Sequence, residues 1–145
     1  MYGILYPKTD NNLCTVVWFL STRLLGIRTI KTAINTLLEN HIESPSFLSV
    51  KDTLAEYGIE SAAVRKGSYT YAEFETPFVC AIQQEDWGQS NFTVVTEARA
   101  DKITYLDPLT GKLNVISTAA FEQLDKEVIL LVDGSATKDD PFFRF

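Results

Sequence analysis

The stretch YGIESAAVR, residues Tyr57–Arg65, marks the point where the chain changes from helical to strand-like periodicity. Gly58 suits the end of a helix, and the alternating apolar residues that follow it are typical of a strand. Before this stretch, apolar residues recur at helical spacing and predict helices over 14–25, 27–38 and 45–57. The first sixty residues are therefore expected to be mostly helical.

After this stretch the sequence predicts short strands separated by turns. Buried or alternating strands are predicted over 59–65, 78–83, 91–96, 102–106, 112–116 and 128–132, with a short helix capped by Ser117 and ending at Leu124. Helices followed by strands are the pattern of an α+β fold. We expect N-terminal helices packed on a C-terminal antiparallel sheet.

Composition excludes several classes of protein. The chain has 145 residues, enough for one domain, and 46% of them are hydrophobic, which suffices for a core. A net charge of −6 argues against nucleic acid and against an anionic membrane surface. No secretory signal and no membrane-spanning run is visible, which favours a soluble domain in a reducing compartment. No phosphate-binding, dinucleotide or metal motif is present, so neither a cofactor nor a metal is predicted.

Few residues of the chain are candidates for a catalytic role on local sequence alone. Cys14 opens the first predicted helix, where backbone N–H groups favour a thiolate, although a free cysteine is more often a small buried hydrophobe. Cys80 has apolar neighbours on both sides and is expected in the core. His41, the single histidine, follows the second predicted helix and is expected to be a helix-terminal or solvated side chain. Asp107 is ordinarily a turn former.

The order of several short motifs resembles one known family. After the cysteine-led helix, the motifs are Pro45-Ser46-Phe47-Leu48-Ser49, Tyr57-Gly58-Ile59-Glu60, Pro77-Phe78-Val79, Asn91-Phe92-Thr93-Val94-Val95, Asp107-Pro108-Leu109-Thr110-Gly111 and Val128-Ile129-Leu130-Leu131. Over about residues 12–133 they resemble the bacteriocin-processing cysteine peptidases. The resemblance implies a papain-like fold, a place on peptide-exporting ABC transporters, and cleavage of leaders after a double glycine. Within the family, the chain is most similar to a branch found in Bacteroidetes-type bacteria. Domains of that branch can be fused to a vitamin K epoxide reductase-like membrane thiol oxidoreductase.

The resemblance assigns catalytic positions one residue at a time. The nucleophile falls on Cys14 and the orienting aspartate on Asp107, but the general-base histidine is replaced by Asn91 and the oxyanion glutamine by Lys8. A carboxamide cannot accept a proton at working pH, and a flexible lysine is a poor substitute for a fixed amide donor. Without an imidazolium beside it, Cys14 is expected to titrate near about 8.5, lowered only by the helix end.

These substitutions predict a degenerate, non-hydrolytic domain over residues 1–133, with 134–145 as a tail or the start of a linker. Its partners would be a peptide segment or an adjacent membrane domain, either a transporter or a thiol oxidoreductase. The domain itself is expected in the cytoplasm or at the cytoplasmic face of the inner membrane. One alternative is an active cysteine peptidase that cleaves double-glycine leaders with an unusual base. Another is a redox accessory domain in which Cys14 exchanges disulfides with a membrane thiol oxidoreductase.

Overall fold

The computed structural model describes residues 13–42, 44, 46–83, 91–107 and 110–133. The chain divides into two compact units. Among the described residues, one unit takes in those up to Ala62 together with Val132 and Asp133, and the other takes in those of Ala63–Leu131. We call the first the helical unit and the second the sheet unit.

Three helices of the helical unit contact one another. Helix α1 covers Leu13–Trp18 and continues as a π-helix over Phe19–Leu24, α2 covers Lys31–Glu39, and α3 covers Phe47–Glu56. Their apolar stripes supply buried side chains: Leu13, Val16, Val17, Leu20, Leu25, Ile34, Leu38, Val50 and Leu54. The three predicted helices are therefore confirmed, and their apolar stripes form a core.

Two helix starts differ from the prediction. Helix α2 begins at Lys31 rather than at Ile27, because Ile30 has an extended backbone and the Thr29 hydroxyl is bonded to that of Thr22, at 2.6 Å. Helix α3 is capped by Ser46, whose side chain accepts from the backbone N–H of Ser49, whereas the sequence predicted a helix that already begins at Pro45. Pro45 itself lies outside the described residues.

In the described part of the chain, six strands form one sheet with the order β1-β6-β2-β3-β4-β5. The strands are β1 Glu60–Arg65, β2 Phe78–Ile82, β3 Asn91–Ala98, β4 Lys102–Leu106, β5 Leu113–Ser117 and β6 Asp125–Asp133. The pairs β2–β3, β2–β6, β3–β4 and β4–β5 are antiparallel. A 3₁₀ turn over Tyr71–Glu73 and helix α4 over Thr118–Leu124, capped by Ser117, complete the described elements.

One face of the sheet carries an aromatic-rich core. Its buried members are Tyr71, Phe78, Cys80, Ile82, Val95, Ile103, Tyr105, Phe121 and Ile129. The Phe121 ring meets those of Tyr71 and Tyr105, at centroid distances of 5.2 and 5.5 Å. The Tyr71 hydroxyl donates to the Asp125 carboxylate at 2.5 Å, which satisfies a polar group inside this core.

The α+β order and the antiparallel sheet predicted from the sequence are confirmed. Among the residues that the structure describes, no helix combines the length and the apolar character needed to cross a membrane.

Candidate functional site

Cys14 is the second residue of α1 and is half-buried. Its Sγ donates a weak hydrogen bond to the backbone carbonyl of Lys31, at 3.5 Å. Burial raises the pKa of the Cys14 thiol, and the charge of Lys31 offsets only part of this effect. The sequence predicted that the helix end lowers the pKa of Cys14, and this prediction was wrong. The pKa is raised because desolvation of the thiolate outweighs the favourable charge of Lys31. At neutral pH Cys14 is a protonated thiol.

Lys31 and Trp18 form a small cluster with this cysteine. Trp18 lies one helical turn after Cys14 in α1, and the Lys31 ammonium sits over its ring, 4.5 Å from the centroid. A cation over an indole face is attracted by the ring quadrupole, which restrains a side chain that would otherwise sample many rotamers. The cluster places one positive charge close to a neutral thiol.

His41 follows the C-cap of α2, in agreement with the prediction of a helix-terminal side chain. Its Nε2 lies 2.7 Å from Oδ2 of Asp52, a residue of α3. The sequence did not reveal this pairing, since no local spacing links the two residues. The only imidazole of the chain is thus engaged with a carboxylate on the neighbouring helix.

Cys80 lies in β2 and is fully buried, which confirms its prediction as a core residue. Burial raises the pKa of its thiol well above the ordinary value, and the nearby Asp125 carboxylate adds to this rise. Such a thiol is neutral and inaccessible, so it offers no nucleophile.

Asn91 is the first residue of β3 and is 8% exposed. It pairs with Ile82 at the end of β2, and the alternation of side chains puts it on the same face as Thr93 and Val95. Since Val95 pairs with Tyr105 of β4, that face continues across the next strand.

Asp107 comes directly after β4 and closes the hairpin to β5. Its backbone N–H donates to the carbonyl of Lys112 at 2.7 Å, and its carbonyl accepts from the N–H of Gly111 at 2.8 Å. Its Oδ2 accepts from the Asn114 carboxamide, at 2.8 Å. Gly111 has φ near +73°, a left-handed conformation that glycine adopts without strain. The turn-forming role of Asp107 is confirmed, and Asn114 is a partner that the sequence did not indicate.

The β3–β4 register relates Asn91 to Asp107. Continuing it two residues past the Val95–Tyr105 pair sets Asp107 opposite Thr93, whose hydroxyl donates to the carbonyl of Leu106. Asn91 is then the diagonal neighbour of Asp107 on one face of the sheet. Cys14 belongs to the helical unit, whereas Asn91 and Asp107 belong to the sheet unit. Lys8 lies outside the described residues.

Lys31 is the neighbour of Cys14 that the sequence did not indicate. Trp18 lies at i+4 from Cys14, a spacing that puts both residues on the same face of α1. Lys31 lies seventeen residues from Cys14 in the chain, and only the packing of α1 against α2 brings them together. Within the described ranges, no group of three or more His, Cys, Asp or Glu side chains is arranged to hold a metal ion.

Comparison with solved structures finds the same fold in peptidase domains. The peptidase domain of Streptococcus ComA, a bi-functional ABC transporter involved in a quorum sensing pathway, superposes with a TM-score of 0.68 at 13% identity, covering 84% of this chain and 90% of that one. The N-terminal peptidase C39 like domain of the toxin secretion ATP-binding protein from Vibrio parahaemolyticus gives 0.65 at 12% identity, covering 83% and 94%.

A third similar structure is a double glycine motif protease from an AMS/PCAT transporter, solved in complex with the leader peptide. It gives a TM-score of 0.61 at 14% identity and covers 91% of this chain and 88% of that one. No curated protein matches the sequence. At these identities the structural likeness establishes the fold.

The sequence comparison with known families covers most of the chain. The sequence model of the peptidase C39 family matches residues 10–137, a span that includes Cys14, Asn91 and Asp107. The match agrees with the fold of the solved peptidase domains, and the chain therefore belongs to the peptidase C39 family.

Proposed function

We propose that this chain is a peptide-binding member of the peptidase C39 family that does not hydrolyse the peptide it binds. The observation that carries the proposal is the state of Cys14. Its thiol is half-buried, donates to the carbonyl of Lys31, and has a pKa raised by burial. Hydrolysis by a cysteine peptidase begins from a thiolate, which this environment disfavours.

The second support is the lack of a base where the family places one. The resemblance assigns that position to Asn91, and a carboxamide neither accepts the thiol proton nor protonates a leaving amine. The single imidazole of the chain, His41, lies 2.7 Å from Asp52. Because the members of a catalytic triad act as a unit, loss of the base removes most of the rate enhancement.

Peptide binding is proposed from the family and from one relative. The double glycine motif protease was solved in complex with the leader peptide, which supports a peptide ligand for this fold. We propose that residues 1–133 of this chain form the corresponding domain and that the bound segment is a double-glycine leader. Binding needs the surface of the fold but not the proton transfers that hydrolysis requires.

The experiment is a binding and cleavage assay with a panel of synthetic double-glycine leader peptides. We expect saturable binding by fluorescence anisotropy and intact peptide by mass spectrometry after overnight incubation. Cys14→Ala is the matched control and should bind as the wild type does. Cleavage that disappears in Cys14→Ala would show an active peptidase, and absence of binding to every peptide would contradict the proposed ligand class.

A gain-of-function variant tests the role assigned to Asn91. Asn91→His restores the imidazole of the family, and the double variant with Lys8→Gln also restores its oxyanion amide. We expect weak cleavage from one of these variants and none from Asn91→Gln, which keeps the carboxamide. If Asn91→Gln cleaves as well as Asn91→His, the general-base position has been assigned wrongly.

A further inference from the structure

The residues Cys14, Trp18 and Lys31 form a cluster that carries one positive charge, the Lys31 ammonium. The Lys31 ammonium is held over the Trp18 ring at 4.5 Å, while the backbone of the same lysine accepts the Cys14 hydrogen bond at 3.5 Å. Both contacts fix Lys31 at the start of α2 beside the thiol. The ring contact restrains the ammonium over Trp18, close enough to Cys14 for its charge to lower the pKa of the thiol.

This ammonium keeps its full charge available to a ligand. Among the residues that the structure describes, the ion pairs within 4 Å join His41 to Asp52, Lys66 to Glu122 and Arg99 to Glu97, and none of them involves Lys31. A tryptophan face attracts a cation without neutralising it. Since Cys14 is protonated at neutral pH, no thiolate repels an incoming anion. In a chain of net charge −6, the cluster is a local site for a negative group.

We propose that the Lys31 ammonium binds the C-terminal carboxylate of the peptide, so that the ligand ends beside Cys14 instead of continuing past it. This inference rests on the proposed function, because that function brings a peptide to Cys14. An uncut substrate presents a neutral amide at this point, whereas a released leader presents a carboxylate. The preferred ligand would then be a leader that a separate peptidase has already released.

Three versions of one leader peptide test this preference. They are the peptide ending in Gly-Gly with a free carboxylate, the same peptide as a C-terminal amide, and an extended peptide that continues beyond the double glycine. We expect the free acid to bind about two- to fivefold more tightly than the other two, the range of a partly exposed ion pair. Lys31→Gln should remove the difference.

Lys51→Gln, on α3, is the control for a general loss of positive charge. It should keep the preference for the free acid. Equal binding of the three peptides to the wild type, or an unchanged preference in Lys31→Gln, would overturn the inference. If no version binds, the proposed function fails, and the following experiment still decides the role of Lys31.

Two alkylating reagents probe the charge beside Cys14 without any peptide. Iodoacetate and iodoacetamide both transfer their carbon to the same thiolate with loss of iodide, but only iodoacetate carries a carboxylate. The ratio of their rates at Cys14 therefore cancels the thiol pKa. We expect the iodoacetate-to-iodoacetamide ratio to be two- to fivefold higher in the wild type and in Lys51→Gln than in Lys31→Gln. An equal ratio in all three proteins would overturn the inference.

Discussion

The two cysteines of this protein occupy opposite kinds of environment. Cys80 lies in β2 with no exposed surface and belongs to the aromatic-rich core of the sheet unit. Cys14 lies in α1 of the helical unit, is half-buried, and has a tryptophan and an ammonium close by. Burial raises the pKa of both thiols, but only Cys14 also has a cation that lowers it.

This difference separates a thiol of the core from one that is partly exposed. Cys80 contributes packing, and its chemistry is suppressed by its surroundings. Cys14 is only half-buried, and in the proposed function it has no base that would turn the thiol into a nucleophile. A cysteine at the nucleophile position of a peptidase family is therefore insufficient evidence of hydrolysis.

The largest expected effect comes from weakening the core around Cys80. Phe121 is fully buried against the rings of Tyr71 and Tyr105, so Phe121→Ala should lower the free energy of unfolding by about 3–5 kcal/mol. Cys80 reacts only when the core opens, and its alkylation should accelerate about 700-fold for 4 kcal/mol, at tenfold per 1.4 kcal/mol. Urea unfolding and peptide-resolved mass spectrometry measure the two quantities.

The control for this variant is Leu113→Ala, at a residue of β5 that is 50% exposed. It should change stability little and leave Cys80 protected. Cys14 should react at the same rate in both variants if its accessibility does not depend on the sheet core. Equal acceleration at both cysteines would break the contrast between the two regions.

A second prediction concerns stability in alkaline solution. An unfolded chain releases the Cys80 proton near the ordinary pKa of 9.0, whereas burial raises the pKa of the native thiol well above that value. Above pH 9 the unfolded state thus binds fewer protons, and stability falls as pH rises, by up to about 1.4 kcal/mol per pH unit for this group. Cys80→Ala should flatten the fall.

Urea unfolding at pH 8, 9 and 10 measures this slope, with Cys14→Ala as the matched variant. Because Cys14 is less buried than Cys80, its removal should flatten the slope less. If Cys14→Ala flattens the slope more than Cys80→Ala does, the pKa of Cys14 is raised more than that of Cys80, which contradicts the difference in burial.

The smallest effect is expected from Lys31→Gln on the reactivity of Cys14. The lysine charge lowers the pKa of this thiol, so its removal should raise the pKa further and slow alkylation by iodoacetamide at pH 8. About two- to fivefold is expected for a solvent-screened charge. Cys80, followed in the same digests, should not change.

The sequence predicted the α+β order and the core position of Cys80 because both depend on local patterns. Alternating apolar residues indicate strands wherever they occur, and the neighbours of Cys80 are apolar on both sides. The start of α2 could not be predicted in this way. The apolar stripe runs back to Ile27, but the bond between the hydroxyls of Thr22 and Thr29 accompanies an extended segment before Lys31.

The surroundings of the candidate site depended on contacts between distant residues. The pairs Cys14 with Lys31 and His41 with Asp52 link different helices, and no spacing along the chain indicates them. The direction of the Cys14 pKa shift also depended on burial, which a helix-end argument does not include. The family resemblance assigns the catalytic positions to Cys14, Asn91 and Asp107, and it carries no information on their environments.

The pH profile of Cys14 alkylation tests the central claim most directly. The rate of reaction with iodoacetamide, followed at Cys14 by mass spectrometry from pH 6 to 10.5, reports the thiolate fraction. Because burial raises the pKa of Cys14 above its ordinary value of 9.0, we predict slow reaction at pH 7 and a midpoint above pH 9. Rapid alkylation at pH 7 with a midpoint below pH 7 would show an activated thiolate and would contradict a non-hydrolytic site.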